Sequence, residues 1–220
     1  MRQPWRMACA WVAAAHGEGP ELPATLRGRV SGSSWRQVAE LVRTGVASPP
    51  TSSAGRLCDA VAALCGVRAQ VNYEGQAAVE LEAAADPLEG GAYPVALRDE
   101  PGGPLVMDPR PAIRALTADL CGGAQVATVA ARFYNGLAAA TAAGCELAAA
   151  RAGVETIVLS GGVFQNRLLL TRTSGLLADA GLHVLVPEQL PPNDGGIAYG
   201  QLAVAAARVA AEDGGDDVRA

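Results

Sequence analysis

Three stretches of this chain carry residue types and spacings that could do chemistry. In Thr156-Ile-Val-Leu-Ser-Gly-Gly-Val-Phe-Gln-Asn166 a β-branched run ends in two glycines ahead of a helical pattern. That junction lets backbone amides approach an anion closely, and the helix N-terminus adds unsatisfied N–H groups and partial positive charge, so it suits a phosphate cradle without a lysine. The same glycines equally suit an ordinary strand-to-helix turn. In Pro191-Pro-Asn-Asp-Gly-Gly196, Asp194 offers hard oxygen atoms for Mg²⁺ or a similar ion that also touches a phosphate. The competing reading is that Asn193 or Asp194 caps the final helix, and one carboxylate is never a complete metal site. The third stretch pairs Thr51-Ser-Ser-Ala-Gly-Arg-Leu-Cys-Asp59 with Asn72-Tyr-Glu-Gly-Gln-Ala-Ala78. Ser52 or Ser53 caps a helix carrying Asp59, and Glu74-Gly75 sits in the turn before the next helix. Carboxylates so placed can accept hydrogen bonds from a ribose, or simply remain solvated charges.

What the chain lacks narrows the chemistry further. All 17 basic residues among its 220 are arginine, which excludes Schiff-base chemistry, a Walker lysine and a kinase-type strand lysine. His16 and His183 are the only histidines, so a three-histidine metal site and a His-Glu-x-x-His helix are excluded. His16 ends the first helical pattern and suits its dipole, and His183 alternates with Val184 and Val186 on a strand. A formal charge of −5 without an arginine stripe argues against a nucleic-acid partner. The five cysteines show no paired spacing and read as small buried apolar residues of a reducing compartment. No leader peptide is visible, and Arg132, Glu146 and Arg151 interrupt the Ala-rich stretch from Val126 to Ala152, so the expectation is a cytoplasmic protein without a membrane span.

The elements that must position these residues follow from periodicity and punctuation. Half the residues are hydrophobic, but 46 are alanine and only two are phenylalanine, which predicts closely packed helices. Helices are expected over Pro4–Ala15, Ser34–Thr44, Ser53–Cys65, Gly75–Ala85, Ala112–Leu120, Val126–Ala152, Gln165–Ala180 and Gly195–Ala211, several closed by a C-terminal glycine. Short strands are expected over Tyr93–Arg98 and Leu105–Met107 as a hairpin, and over Thr156–Leu159 and His183–Val186 in an alternating α/β pattern. The stretch from Gly17 to Gly32 reads as a loop or surface insertion, the tryptophans as packing residues, and residues 213–220 as a disordered acidic tail.

Taken together, the motifs resemble those of a known family. Thr51 to Leu64, Tyr73-Glu-Gly-Gln-Ala-Ala78, Leu159-Ser-Gly-Gly-Val-Phe-Gln-Asn166, Pro192 to Gln201 and the opening Arg2-Gln-Pro-Trp-Arg-Met7 are similar to the C-terminal, TsaD-like region of the HypF carbamoyltransferases, which mature [NiFe] hydrogenases. The resemblance runs from about Arg2 to Ala207 and implies an α/β fold: a helix-rich single lobe of the actin/hexokinase/Hsp70 type over residues 1–212. It implies that an ATP-derived carbamoyl-adenylate is bound and its carbamoyl group passed to the C-terminal Cys of a HypE-type acceptor protein. By motif, Gly161, Gly162 and Asn166 would hold the adenylate, Asp59, Glu74 and Gly75 would contact its ribose, and Asp194 would be one ligand of a divalent metal.

The departures from that family matter equally. Its other metal ligands, a His-x-x-x-His pair and usually a further acid, precede the stretch with which this chain opens, so the resemblance implies an N-terminal portion of the enzyme not in this chain and no activity alone. Phe133-Tyr134 stands where the family commonly carries Phe-His, and Cys58 where a Phe is usual. The smaller Cys58 side chain would cost on the order of a few kcal/mol unless neighbours fill the space. Two other readings are open: a non-catalytic nucleotide-binding or assembly module, and a carbamoyltransferase acting on a small-molecule hydroxyl.

Overall fold

A computed structural model describes residues 2–17, 19–99 and 102–213, with side chains to residue 210. Eight helices lie close to the expected positions: α1 (Pro4–His16), α2 (Gly32–Thr44), α3 (Ala54–Leu64), α4 (Gln76–Ala84), α5 (Arg110–Cys121), α6 (Val126–Ala152), α7 (Arg167–Asp179) and α8 (Ile197–Asp213). Local chemistry explains their ends. Pro4 opens α1, where a missing N–H costs nothing. Ser31 and Ser53 cap α2 and α3 through their side chains, and left-handed Gly45 and Gly153 close α2 and α6. The expected acidic tail begins at the last residue of α8 and otherwise lies outside the described residues.

The strands are short and form two separate pairs. β1 (Ala96–Asp99) and β2 (Leu105–Asp108) make an antiparallel hairpin with Leu97 opposite Met107. β3 (Thr156–Val158) and β4 (His183–Leu185) run parallel, joined through α7, with Ile157 opposite Val184.

The main core lies among α1, α3, α4, α5 and the first half of α6, where alanines allow the backbones to come close. Trp5 and Trp35 stack there at 6.4 Å, as packing residues. A smaller core joins the second half of α6 to α7 and the β3–β4 pair through Ala142, Leu159 and Leu177. The 27-residue α6 therefore spans both cores, about 40 Å at 1.5 Å per residue. Its Gly136 is required: a Cβ there would stand 2.0 Å from the carbonyl oxygen of Tyr93.

Two expectations are corrected. The stretch from Gly17 to Gly32 is not a surface insertion, because Leu26 and Val30 are buried, Trp35 Nε1 donates to Pro20 O at 2.7 Å, and Thr25 Oγ1 donates to Leu64 O at 2.7 Å. Its prolines and glycines hide the two apolar anchors that tie it down. The cysteines also divide: Cys9, Cys58 and Cys65 are buried, but Cys145 is only half-buried and Cys121 is exposed at the end of α5. Among the described residues, no helix is long and apolar enough to cross a membrane.

Candidate functional site

The three chemically suggestive stretches, far apart in the chain, meet around one cavity of about 720 Å³. The first turn of α3 and its Asp59 form one side, Glu74-Gly75 and α4 a second, and Gly162, Gln165 and Asn166 a third, with Asn193 and Asp194 at the rim. Gly161 is not part of the lining; it shapes the turn behind it, with a left-handed φ of 96° and its amide donating to Pro192 O at 2.7 Å. That bond ties the Gly-Gly turn to the Asn193-Asp194 turn.

The junction after β3 differs from a strand running straight into a helix. A 3₁₀ turn, Gly162–Gln165, intervenes, and α7 begins at Arg167 with Asn166 as its cap. Asn166 Oδ1 accepts from Leu169 N at 2.7 Å, and Glu82 Oε1 of α4 accepts from Leu168 N at 3.1 Å. The amides of Leu168 and Leu169 at the α7 terminus are thus capped by the protein's own oxygens. The amides of Gly162 and Val163 have no partner among the described residues, and both residues line the cavity.

Asp59 is the buried carboxylate of the site. Burial pushes its carboxyl above the usual aspartate range, and Glu74 adds to this, while the Arg56 guanidinium, 3.1 Å away, opposes both. Arg56 is one helical turn from Asp59, and Ser53 Oγ accepts from its backbone N–H at 3.4 Å. On the neighbouring wall, buried Gln76 accepts from Asn72 N at 2.8 Å and donates to Glu80 at 2.9 Å. It thereby closes the turn that presents Glu74 and left-handed Gly75. These carboxylates can accept hydrogen bonds from a polyol such as a sugar, opposite amides that can donate to an anion.

Beneath the cavity lies Tyr134 of α6, fully buried, its ring 5.2 Å from that of Phe133. The hydroxyl donates to Ala78 O of α4 at 3.2 Å. Burial pushes the Cys58 thiol up to about 12, and the charge of Asp59 adds to that, so it carries no thiolate nucleophile near neutral pH.

The rim is not a metal centre by itself. Asn193, not Asp194, caps the short turn there, accepting from Gly195 N at 3.0 Å. Asp194 is exposed and can supply one oxygen ligand, but among the described residues no group of three or more His, Cys, Asp or Glu could hold a metal ion. The residues present do not fit a complete site. His16 bonds Thr117 Oγ1 at 3.0 Å, and neither histidine lines the cavity.

Sequence reasoning overlooked Arg56, Val163 and Glu82. Arg56 was legible as a partner three residues before Asp59 on one helix. Glu82 was not, since the amide it caps lies 86 residues away.

Comparison with known proteins gives the family and the fold. Residues 1–201 match the family described as Carbamoyltransferase, Kae1-like Domain, second subdomain. Carbamoyltransferase HypF of Synechocystis sp. is 40% identical over 156 residues, which cover 70% of this chain and 19% of that protein. A carbamoyltransferase HypF homolog of Cupriavidus necator is 36% identical over 215 residues, covering 93% of this chain and 53% of that protein. The crystal structure of full-length HypF in its phosphate- and nucleotide-bound form superimposes with a TM-score of 0.81 at 31% identity, covering 93% of this chain and 31% of that one. The chain therefore spans only part of the length of these relatives. It has the Kae1-like α/β fold, here helix-rich with small sheets, and belongs to the HypF carbamoyltransferase family, whose Kae1-like second subdomain it carries.

Proposed function

We propose that this chain forms the nucleotide-binding wall of a cytoplasmic HypF-type carbamoyltransferase, the second lobe of an actin/hexokinase/Hsp70-type cleft. The observation that carries the reading is the single cavity that gathers Asp59, Glu74, Gly75, Gly162 and Asn166 from separate segments. A carbamoyl-adenylate fits its polarity. The free amides of Gly162 and Val163 take the phosphate, and Asp59 with Glu74 and Gly75 takes the ribose hydroxyls. Gly161 serves the same group indirectly, by holding the turn in place.

In the reaction, a thiolate of a HypE-type acceptor attacks the carbamoyl carbon. An S–C bond forms, the C–O bond to the adenylate phosphate breaks, and AMP leaves with the electron pair. This chain's contribution is to orient that phosphate and neutralise its charge through fixed dipoles. Asp194 would add one oxygen to a divalent metal whose other ligands lie outside the chain. The surface supports an incomplete assembly. Val158 and Leu185, on the face of the β3–β4 pair away from α7, are 63% and 45% exposed, and Leu202 of α8 is 68% exposed. A parallel strand pair normally has both faces covered, and the remainder of a longer enzyme is the natural cover.

The test uses Gly162→Val, whose added methyls extend toward Asn193, already 3.8 Å from a Cβ at that position. Titration calorimetry with a non-hydrolysable ATP analogue should show binding to the unaltered chain and none to the variant, with identical circular dichroism. Equal binding by both would overturn the reading. Transfer itself is read in the longer enzyme, as the mass gain of one carbamoyl group on the acceptor.

A further inference from the structure

Helices α4 and α7 each pack against α6, the helix that spans both cores. The cavity takes Ala78, Val79 and Glu82 from α4 and the cap residue Asn166 from the start of α7. Among the described residues a single hydrogen bond joins the two helices. Glu82 Oε1, in the last turn of α4, accepts from Leu168 N at the second position of α7, 3.1 Å away. An amide so near a helix N-terminus has no partner within its own helix, so the group that accepts from it fixes where that end of the helix lies. A carboxylate there gains further from the helix dipole. A cap alone needs only a nearby oxygen, such as Asn166 supplies to Leu169 N at 2.7 Å. For Leu168 the oxygen comes instead from 86 residues away and from another wall of the cavity.

We propose that Glu82 is a positioning residue of the cavity, its carboxylate tethering the start of α7 to the end of α4 and so fixing the separation of the α4 and Gly162–Asn166 walls on which nucleotide affinity depends. Glu82 lines the cavity, but its Oε1 is engaged and its charge repels a phosphate, so it does not serve as a ligand of that group. The affinity clause rests on the nucleotide reading proposed above, whereas the tether does not.

Two conservative variants separate reach from charge. Glu82→Gln keeps the reach and the acceptor oxygen but loses the charge, whereas Glu82→Asp keeps the charge and is shorter by one methylene. Hydrogen exchange by mass spectrometry reads both without any ligand. In the Asp variant residues 80–85 and 162–169 should exchange about three- to tenfold faster, while α1 and α5 are unchanged. The Gln variant should exchange like the unaltered chain. Unchanged exchange in the Asp variant overturns the proposal, as does a rise confined to the first turn of α7, which a cap alone produces. A rise over the whole chain also overturns it, because that is general loss of stability. A Gln variant as impaired as the Asp variant would show that the charge acts and not the tether. Where the unaltered chain binds the ATP analogue, the Asp variant should bind about three- to tenfold more weakly at unchanged stoichiometry, and the Gln variant should bind normally. Equal binding by all three would overturn the affinity clause. If the unaltered chain does not bind, the nucleotide reading fails and the exchange result still decides the tether.

Discussion

Asn166 has two jobs that a pair of substitutions separates. Its Oδ1 caps α7 at 2.7 Å from Leu169 N, and the residue lines the cavity. Asn166→Ala removes both functions. Losing an N-cap costs about 1 kcal/mol, and in a chain of this length each kcal/mol lowers the melting temperature by about 2–4 °C. The Leu168 amide keeps its Glu82 cap at 3.1 Å, so the helix end is weakened and not stripped. Asn166→Asp keeps the acceptor oxygen and places negative charge at a helix N-terminus, where it is favourable by about 0.3–1 kcal/mol. It loses the donor and repels a phosphate. The expectation is therefore a crossed pattern: the Ala variant melts about 2–4 °C lower, the Asp variant melts no lower than the unaltered chain, and both lose affinity for the ATP analogue by about tenfold or more. Differential scanning calorimetry and titration calorimetry on the same samples measure it. An Ala variant of undiminished stability would refute the cap, and an Asp variant that binds the analogue as well as the unaltered chain would refute the contact with the anion.

Two further predictions concern packing and charge. Gly136→Ala forces a Cβ to 2.0 Å from Tyr93 O, a backbone atom held by the bond from Tyr93 N to Arg132 O at 3.0 Å. Overpacking of about 3 kcal/mol outweighs the roughly 1 kcal/mol of helix propensity that alanine adds, so urea unfolding should show a net loss of about 2 kcal/mol; a gain would show that the loop yields freely. The folded-state pKa of Asp59 is raised from its ordinary 3.8, chiefly by burial, so the folded chain holds that proton more tightly than the unfolded chain. Its contribution to stability is then lost as pH rises from about 4 through the raised value. Relative to the unaltered chain, Asp59→Asn should gain stability across that window and hold a constant margin above it. Melting temperatures measured against pH check this, and a margin that shrinks with rising pH would contradict it.

The helices were legible because their signals are local. Serine caps, left-handed glycines and 3.6-residue periodicity placed α2, α3 and α6 to within two residues. The start of α7 falls two residues later than expected for an equally local reason: a 3₁₀ turn over Gly162–Gln165 precedes it, so Asn166 reads as interior when it is the cap. Asp59, Glu74, Gly162 and Asn166 were legible as candidates, but what makes them a site is long-range and left no local mark. The Glu82 cap on Leu168, the Gly161 bond to Pro192 and the Tyr134 bond to Ala78 O are such contacts. The buried role of Leu26 and Val30 was hidden likewise, since an isolated apolar residue among prolines and glycines shows no period.

The central claim is that one cavity, built from four separated segments, binds a nucleotide. Hydrogen exchange of the unaltered chain with and without millimolar AMP tests it most directly, because protection reports weak as well as strong binding. The account predicts that residues 54–59, 74–79, 162–166 and 193–196 gain protection together, at one common AMP midpoint. Protection confined to another part of the molecule, or protection nowhere, would contradict it.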